Sequence, residues 1–145
     1  MKKIFLVVLI ALFLIVVSFV LYMRGNVVPI NNVVVENTSG IQVNSPSPDA
    51  LIASPLKIIG VVSGNGWNGF EGQVGTVTLK DSKGNELAKG PLIATTEWTQ
   101  LPTSFETTLE FTSPGAESGE LVFHNENASG DLSKDKIFIF PVKFN

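Results

Sequence analysis

Apolar positions along this chain fall into two regimes. The first is continuous: Ile4 to Met23, IFLVVLIALFLIVVSFVLYM, runs twenty residues without a charge. At about 1.5 Å of rise per residue a helix of that length spans roughly 30 Å, the thickness of a bilayer's hydrocarbon core. The pattern predicts one N-terminal transmembrane helix. A cleaved signal peptide has a shorter apolar run, of roughly 7 to 15 residues, and small residues at the cleavage site. Here the run is longer and ends in the bulky Leu21, Tyr22, Met23 and Arg24, which favours a retained anchor. Lys2 and Lys3 precede the stretch and only Arg24 follows it, so the positive-inside rule places the N-terminus in the cytoplasm and residues 25 to 145 outside.

Beyond the anchor the period becomes two. Residues 25 to 40 mix Gly, Asn and Pro with short Val clusters and read as a linker or stalk, with a short strand at Val33 to Val35. Ile41 to Val43 is a short strand, and Pro46, Pro48 and Pro55 forbid helix in the segment that follows. Leu56, Ile58, Gly60 and Val62 then share one face opposite Lys57. Val77 and Leu79 alternate with Thr76, Thr78 and Lys80, and Asp81-Ser82-Lys83-Gly84-Asn85 closes a hairpin. The return strand is Glu86 to Lys89 and Leu92 to Thr96, interrupted by Gly90-Pro91. Phe105, Thr107, Leu109 and Phe111 alternate with Glu106, Thr108 and Glu110; Leu121 and Phe123 alternate with Glu120 and His124; Ile137 to Phe144 is the last strand, with Pro141 at a bulge or edge. About seven short strands with turn signals between them predict an all-β sandwich over residues 41–145, behind an anchor at 1–24 and a linker at 25–40. The expected core is Leu56, Ile58, Val62, Val77, Leu79, Trp98, Phe105, Leu109, Phe111, Leu121, Phe123 and Ile139.

Charge and composition sharpen this picture. The 44% apolar content is inflated by the anchor. Beyond Arg24 there are seven basic residues against thirteen acidic ones, a net charge of −6. Nucleic acid and anionic lipid headgroups reward clustered Lys and Arg, so that balance argues against both as partners. The chain has no cysteine, which excludes a disulfide framework and a lipid-modified N-terminal Cys. A domain of this size stands on its hydrophobic core alone.

Several motifs then resemble a known family in order and spacing. They are Ser54-Pro55-Leu56 leading to Gly60, Phe70-Glu71, Leu79-Lys80-Asp81 with Gly84, Trp98, and the F-x-x-x-L-x-F of Phe105 to Phe111. Gly119-Glu120-Leu121, Asn127-Ala128-Ser129-Gly130 and Pro141-Val142-Lys143-Phe144 complete the set. The run from Ile41 to Phe144 resembles the immunoglobulin-like domain of bacterial spore germination proteins, one of the Gmad domains. The resemblance implies a sandwich at the bacterial cell envelope with a binding or structural role. It brings no catalytic residues with it and does not by itself imply sporulation.

The candidate chemistry is sparse. His124, the only histidine, has Ser129 and Asp131 nearby, but no G-x-S-x-G is present, and an outward strand position explains the histidine. Asn125, Glu126, Asn127 and Asp131 offer oxygen ligands suited to calcium, though not at EF-hand spacing; a turn held by Asx hydrogen bonds accounts for them better. Asn37-Thr38-Ser39 and Asn127-Ala128-Ser129 are formal glycosylation sequons, which the bacterial resemblance makes idle. The loop Ser63 to Gly72 carries four glycines around Trp67 and Phe70, the candidate ligand contacts; the competing reading folds both rings back over the core. The expectation is a non-catalytic module without cofactor or metal, anchored in the bilayer through Ile4 to Met23, that binds cell-wall polymer or an envelope protein. The competing functions are a small extracytoplasmic hydrolase using His124 and an envelope subunit that self-assembles through edge strands.

Overall fold

A computed structural model of the protein describes residues 39–145. The apolar stretch Ile4 to Met23, the linker through residue 38 and the strand expected at Val33 to Val35 lie outside the described residues. Among the described residues no helix is long and apolar enough to cross a membrane. The described residues form eight strands: β1 (Ile41–Ser45), β2 (Leu51–Ile52), β3 (Leu56–Val62), β4 (Gln73–Asp81), β5 (Glu86–Ala94), β6 (Thr103–Leu109), β7 (Ser118–Asn125) and β8 (Ile137–Phe144). A single 3-10 turn, Leu132–Lys134, precedes β8.

The strands form one hydrogen-bonded ladder in the order β1-β3-β6-β5-β4-β7-β8-β2. All neighbours are antiparallel except β2, which runs parallel to β8. One core cluster draws a buried side chain from every strand, including β1 and β2 at opposite ends of the ladder. A flat sheet cannot bury residues from both its edges in one cluster, so this sheet curls until its two halves face each other. The connectivity is immunoglobulin-like: β3 pairs with β6 in one half, while β4, β7 and β8 make the other. β5 joins the halves, lying along β4 for most of its length and meeting β6 only at Ile93 and Ala94.

Strand β3 follows the expected alternation, with Leu56, Ile58, Gly60 and Val62 buried. The ring of Phe105 lies over Gly60, where a Cβ would come 2.4 Å from its Cζ. In the opposite half Gly119 makes the same room for Phe144, whose Cε2 would be 2.6 Å from a Cβ there. These are close-packing glycines, chosen for the absence of a side chain rather than for an unusual φ.

The structure corrects five expectations. The strands number eight in one continuous ladder rather than about seven, since Leu51–Ile52 forms a short strand among the prolines. Gly90-Pro91 does not interrupt β5, because Pro91 pairs with Thr76 inside a continuous strand. Trp98 is not core: it sits between β5 and β6 and is 36% exposed. Ile139 faces outward at 58% exposure, because β8 buries Phe140, Val142 and Phe144 and the pleat sends their neighbours to the other face. Phe111 follows the end of β6 and is only half-buried, its ring edge-on to Phe144 at 6.0 Å.

The β4–β5 hairpin is built as its sequence foretells. Asp81 Oδ1 accepts from the N–H groups of Lys83 and Asn85, both at 2.9 Å, and Oδ2 accepts from Asn85 Nδ2 at 2.8 Å. The Asn85 amide first, then these backbone donors and the Lys83 charge, hold the Asp81 carboxyl below its ordinary value against the opposing effect of partial burial. A folded-state value below the unfolded one contributes stability above about pH 4, and that contribution is lost as pH falls through the folded value. The thermal midpoint of Asp81→Asn is therefore expected to fall less steeply than wild type below about pH 4. Parallel acid limbs would show that this carboxylate has no part in acid sensitivity.

Candidate functional site

Three connections gather at one end of the curled sheet: residues 63–72 between β3 and β4, 95–102 between β5 and β6, and 126–136 between β7 and β8. The ladder dictates this, because Val62 pairs with Thr103, Gln73 with Ile93, and His124 with Ile137. Residues 39–40 enter at the same end, where the Gly40 carbonyl accepts from the Ser63 N–H at 2.8 Å.

The loops are tied to one another by specific bonds. The Asn125 side chain is the central tie: Nδ2 donates to the Gly66 carbonyl at 2.7 Å and to the Lys134 carbonyl at 3.0 Å, while Oδ1 accepts from the Lys136 N–H at 2.8 Å. Gly69 meets the other loop closely, since a Cβ there would stand 2.4 Å from the Trp98 carbonyl oxygen. Within 126–136, Asn127 donates to the Asp131 carbonyl and to Asp135 Oδ1, and Ser129 donates to Asn127 Oδ1. Asp131 caps the 3-10 turn, accepting from the Ser133 N–H and hydroxyl; the hydroxyl first and then the N–H lower its carboxyl below the ordinary value. In the 95–102 loop Glu97 accepts from the Thr99 hydroxyl and N–H, and is lowered for the same reason.

Between the 63–72 and 126–136 loops lies an open pocket of about 320 Å³. Its lining includes Asn68, Glu126, Ser133, Lys134 and Lys136, with Gly66 at its base against the aliphatic stem of Lys136. At the same end of the sheet the 63–72 loop presents Phe70, 44% exposed, and the 95–102 loop presents Trp98. This end can thus offer amide, hydroxyl and ammonium groups beside two aromatic rings, a set suited to a polar, carbonyl-rich chain with flat apolar faces.

The two candidate ligand contacts part company here. Trp67 is 1% exposed and belongs to the core, so its ring is not displayed by the loop. Phe70 is displayed, and its backbone exchanges hydrogen bonds with Gln73. Trp98 joins it, a residue whose placement is signalled in the sequence by its polar, non-alternating surroundings, Thr95-Thr96-Glu97-Trp98-Thr99-Gln100. Lys134 and Lys136 carry no sequence signal, because only the tie through Asn125 brings them to Gly66. His124 stands on β7 between Thr76 and Ile137, and the protons of Ser129 and Asp131's partners go elsewhere, so these three do not form a relay. In Asn125 to Asp131 the side chains of Asn125, Asn127 and Asp131 are engaged in the Asx-type network. Among the described residues no group of three or more His, Cys, Asp or Glu side chains is placed to hold a metal ion.

A family model, Gmad2, described as the immunoglobulin-like domain of bacterial spore germination, matches residues 40–131, more than half of the chain. No curated relative and no solved structure matches it.

Proposed function

Since the chain belongs to the Gmad2 family of immunoglobulin-like domains of bacterial spore germination, we propose that it is a non-catalytic binding or scaffolding module, held by Ile4 to Met23 in the cytoplasmic membrane and working outside it on cell-wall polymer. The observation that carries this reading is the loop end: a polar pocket with Lys134, Lys136 and Asn68, on connections that gather at the same end as the exposed Phe70 and Trp98. Wall polymers combine acetamido sugars, which offer amides and flat apolar ring faces, with peptide carboxylates that two ammonium groups complement. The length of the apolar stretch and the bias of Lys2 and Lys3 support the anchored, outward-facing arrangement.

The test is cosedimentation of the detergent-solubilised full chain with purified cell-wall sacculi. Saturable pelleting is expected, lost in Phe70→Ala/Trp98→Ala and reduced in Lys134→Ala/Lys136→Ala. Pelleting that is absent, or indifferent to all four substitutions, removes the wall polymer as ligand and leaves an envelope protein as the partner to seek. Resistance of the chain to alkaline carbonate extraction from membranes tests the anchor separately.

A further inference from the structure

Strand β8 has one edge bonded to β7, while the described residues cover its other edge over only part of its length. The Asn125 N–H donates to the Lys136 carbonyl, and His124 is the partner of Ile137. That makes His124 and Ile137 a non-hydrogen-bonded antiparallel pair, so Ile137 directs its own N–H and C=O away from β7. By alternation Ile139, Pro141 and Lys143 do the same. The last two are capped: the Pro141 carbonyl accepts from the Asp49 N–H at 2.9 Å, and the Lys143 N–H donates to the Ala50 carbonyl at 2.9 Å. Among the described residues Ile137 and Ile139 face no strand on that edge, since β2 reaches β8 only at Lys143 and Phe144. Their side chains are 60% and 58% exposed on the outer face, beside Val122 and His124 of β7. An open edge carrying alternating β-branched residues is one that proteins ordinarily block, and here the blocking Pro and the chain cover begin only after it.

We propose that this window is a self-pairing edge, at which β8 of a second copy docks antiparallel across a two-fold axis at Phe138. The occupant is argued from the register. With Ile137 opposite Ile139 of the second copy, four N–H to C=O bonds use every outward backbone group of both residues in both copies. No other register does so. A shift in one direction sets Pro141, which has no N–H, against Ile137; the opposite shift sets Asp135 against Ile139, and the Asp135 N–H is already given to the Leu132 carbonyl at 3.2 Å. In the matched register Lys136 lies across from Phe140 rather than from its own copy, so like charges do not meet. Four isoleucines then form one uninterrupted outer stripe over the junction. This interface does not rest on the wall-polymer reading, although Lys136 borders both the junction and the loop-end pocket.

The test uses sedimentation velocity on the full chain in detergent over a concentration series. A monomer–dimer equilibrium is expected for wild type, with the dissociation constant raised more than about tenfold in Ile139→Lys, whose outward side chain leaves the core intact and whose melt is to match wild type. The native chain has no cysteine, so Ile137→Cys and Ile139→Cys report cleanly on register. Oxidising the two variants mixed should cross-link them more than either alone. A strictly monomeric wild type overturns the proposal, as does a dimer indifferent to Ile139→Lys, or cross-linking no greater in the mixture. Capture of an extended peptide of another protein on a monomer would likewise overturn it.

Discussion

Replacing Trp67 by alanine is expected to destabilise the domain by about 3–5 kcal/mol, the cost of emptying a buried large aromatic site. Trp98→Ala is expected to cost clearly less, since Trp98 is 36% exposed and lies outside the core cluster. The contrast follows from position. Trp67 is 1% exposed within the core cluster, and its backbone N–H is secured by the Gly64 carbonyl at 3.0 Å. Trp98 lies outside that cluster, with its backbone and Cβ close to Gly69. Urea unfolding followed by circular dichroism gives both numbers, as shifts in midpoint at unchanged slope. Equal shifts for the two tryptophans would mean that the 63–72 loop does not fold inward as described.

The second large effect is expected at Phe105, which fills the space that Gly60 leaves open. Phe105→Ala should cost about 3–5 kcal/mol through lost burial and the cavity it creates. Gly60→Ala should cost about 1–3 kcal/mol by overpacking, as its Cβ would stand 2.4 Å from Phe105 Cζ and 2.4 Å from the Gln42 carbonyl oxygen. The double substitution should cost less than the sum of the two, because removing the ring relieves one of the two clashes while the β1 carbonyl stays in place. Strict additivity in a double-mutant cycle would show that the ring does not rest on Gly60.

How much of this was legible beforehand differs from strand to strand. β3 and β6 read cleanly because Lys57 and Glu106 mark the outer face, where they form an ion pair at 2.9 Å, and leave one phase for Ile58 and Phe105. β8 did not, because Ile137-Phe138-Ile139-Phe140 is apolar in both phases. There the phase is set further along, where Pro141 and Lys143 take the outer face and Val142 and Phe144 the inner. Of the candidate contacts, Phe70 is displayed and Trp67 is buried, and nothing in a loop with four glycines separates the two. The pocket itself was illegible: Asn125 and Gly66 stand fifty-nine residues apart, and their bond determines where Lys134 and Lys136 lie.

By itself, then, the sequence determined the all-β class, the β4–β5 hairpin, the family and the inward phase of strands whose outer face is charged. It also holds the twenty-residue apolar stretch on which the anchored reading depends. These are local properties, since strand alternation and turn chemistry act over a few residues. Only the tertiary structure decided which tryptophan enters the core, which face of β8 is buried, which loops share an end and which edge stays open. Those outcomes rest on ladder pairs and side-chain ties between distant segments, and their free energy is gained only when the curled sheet closes.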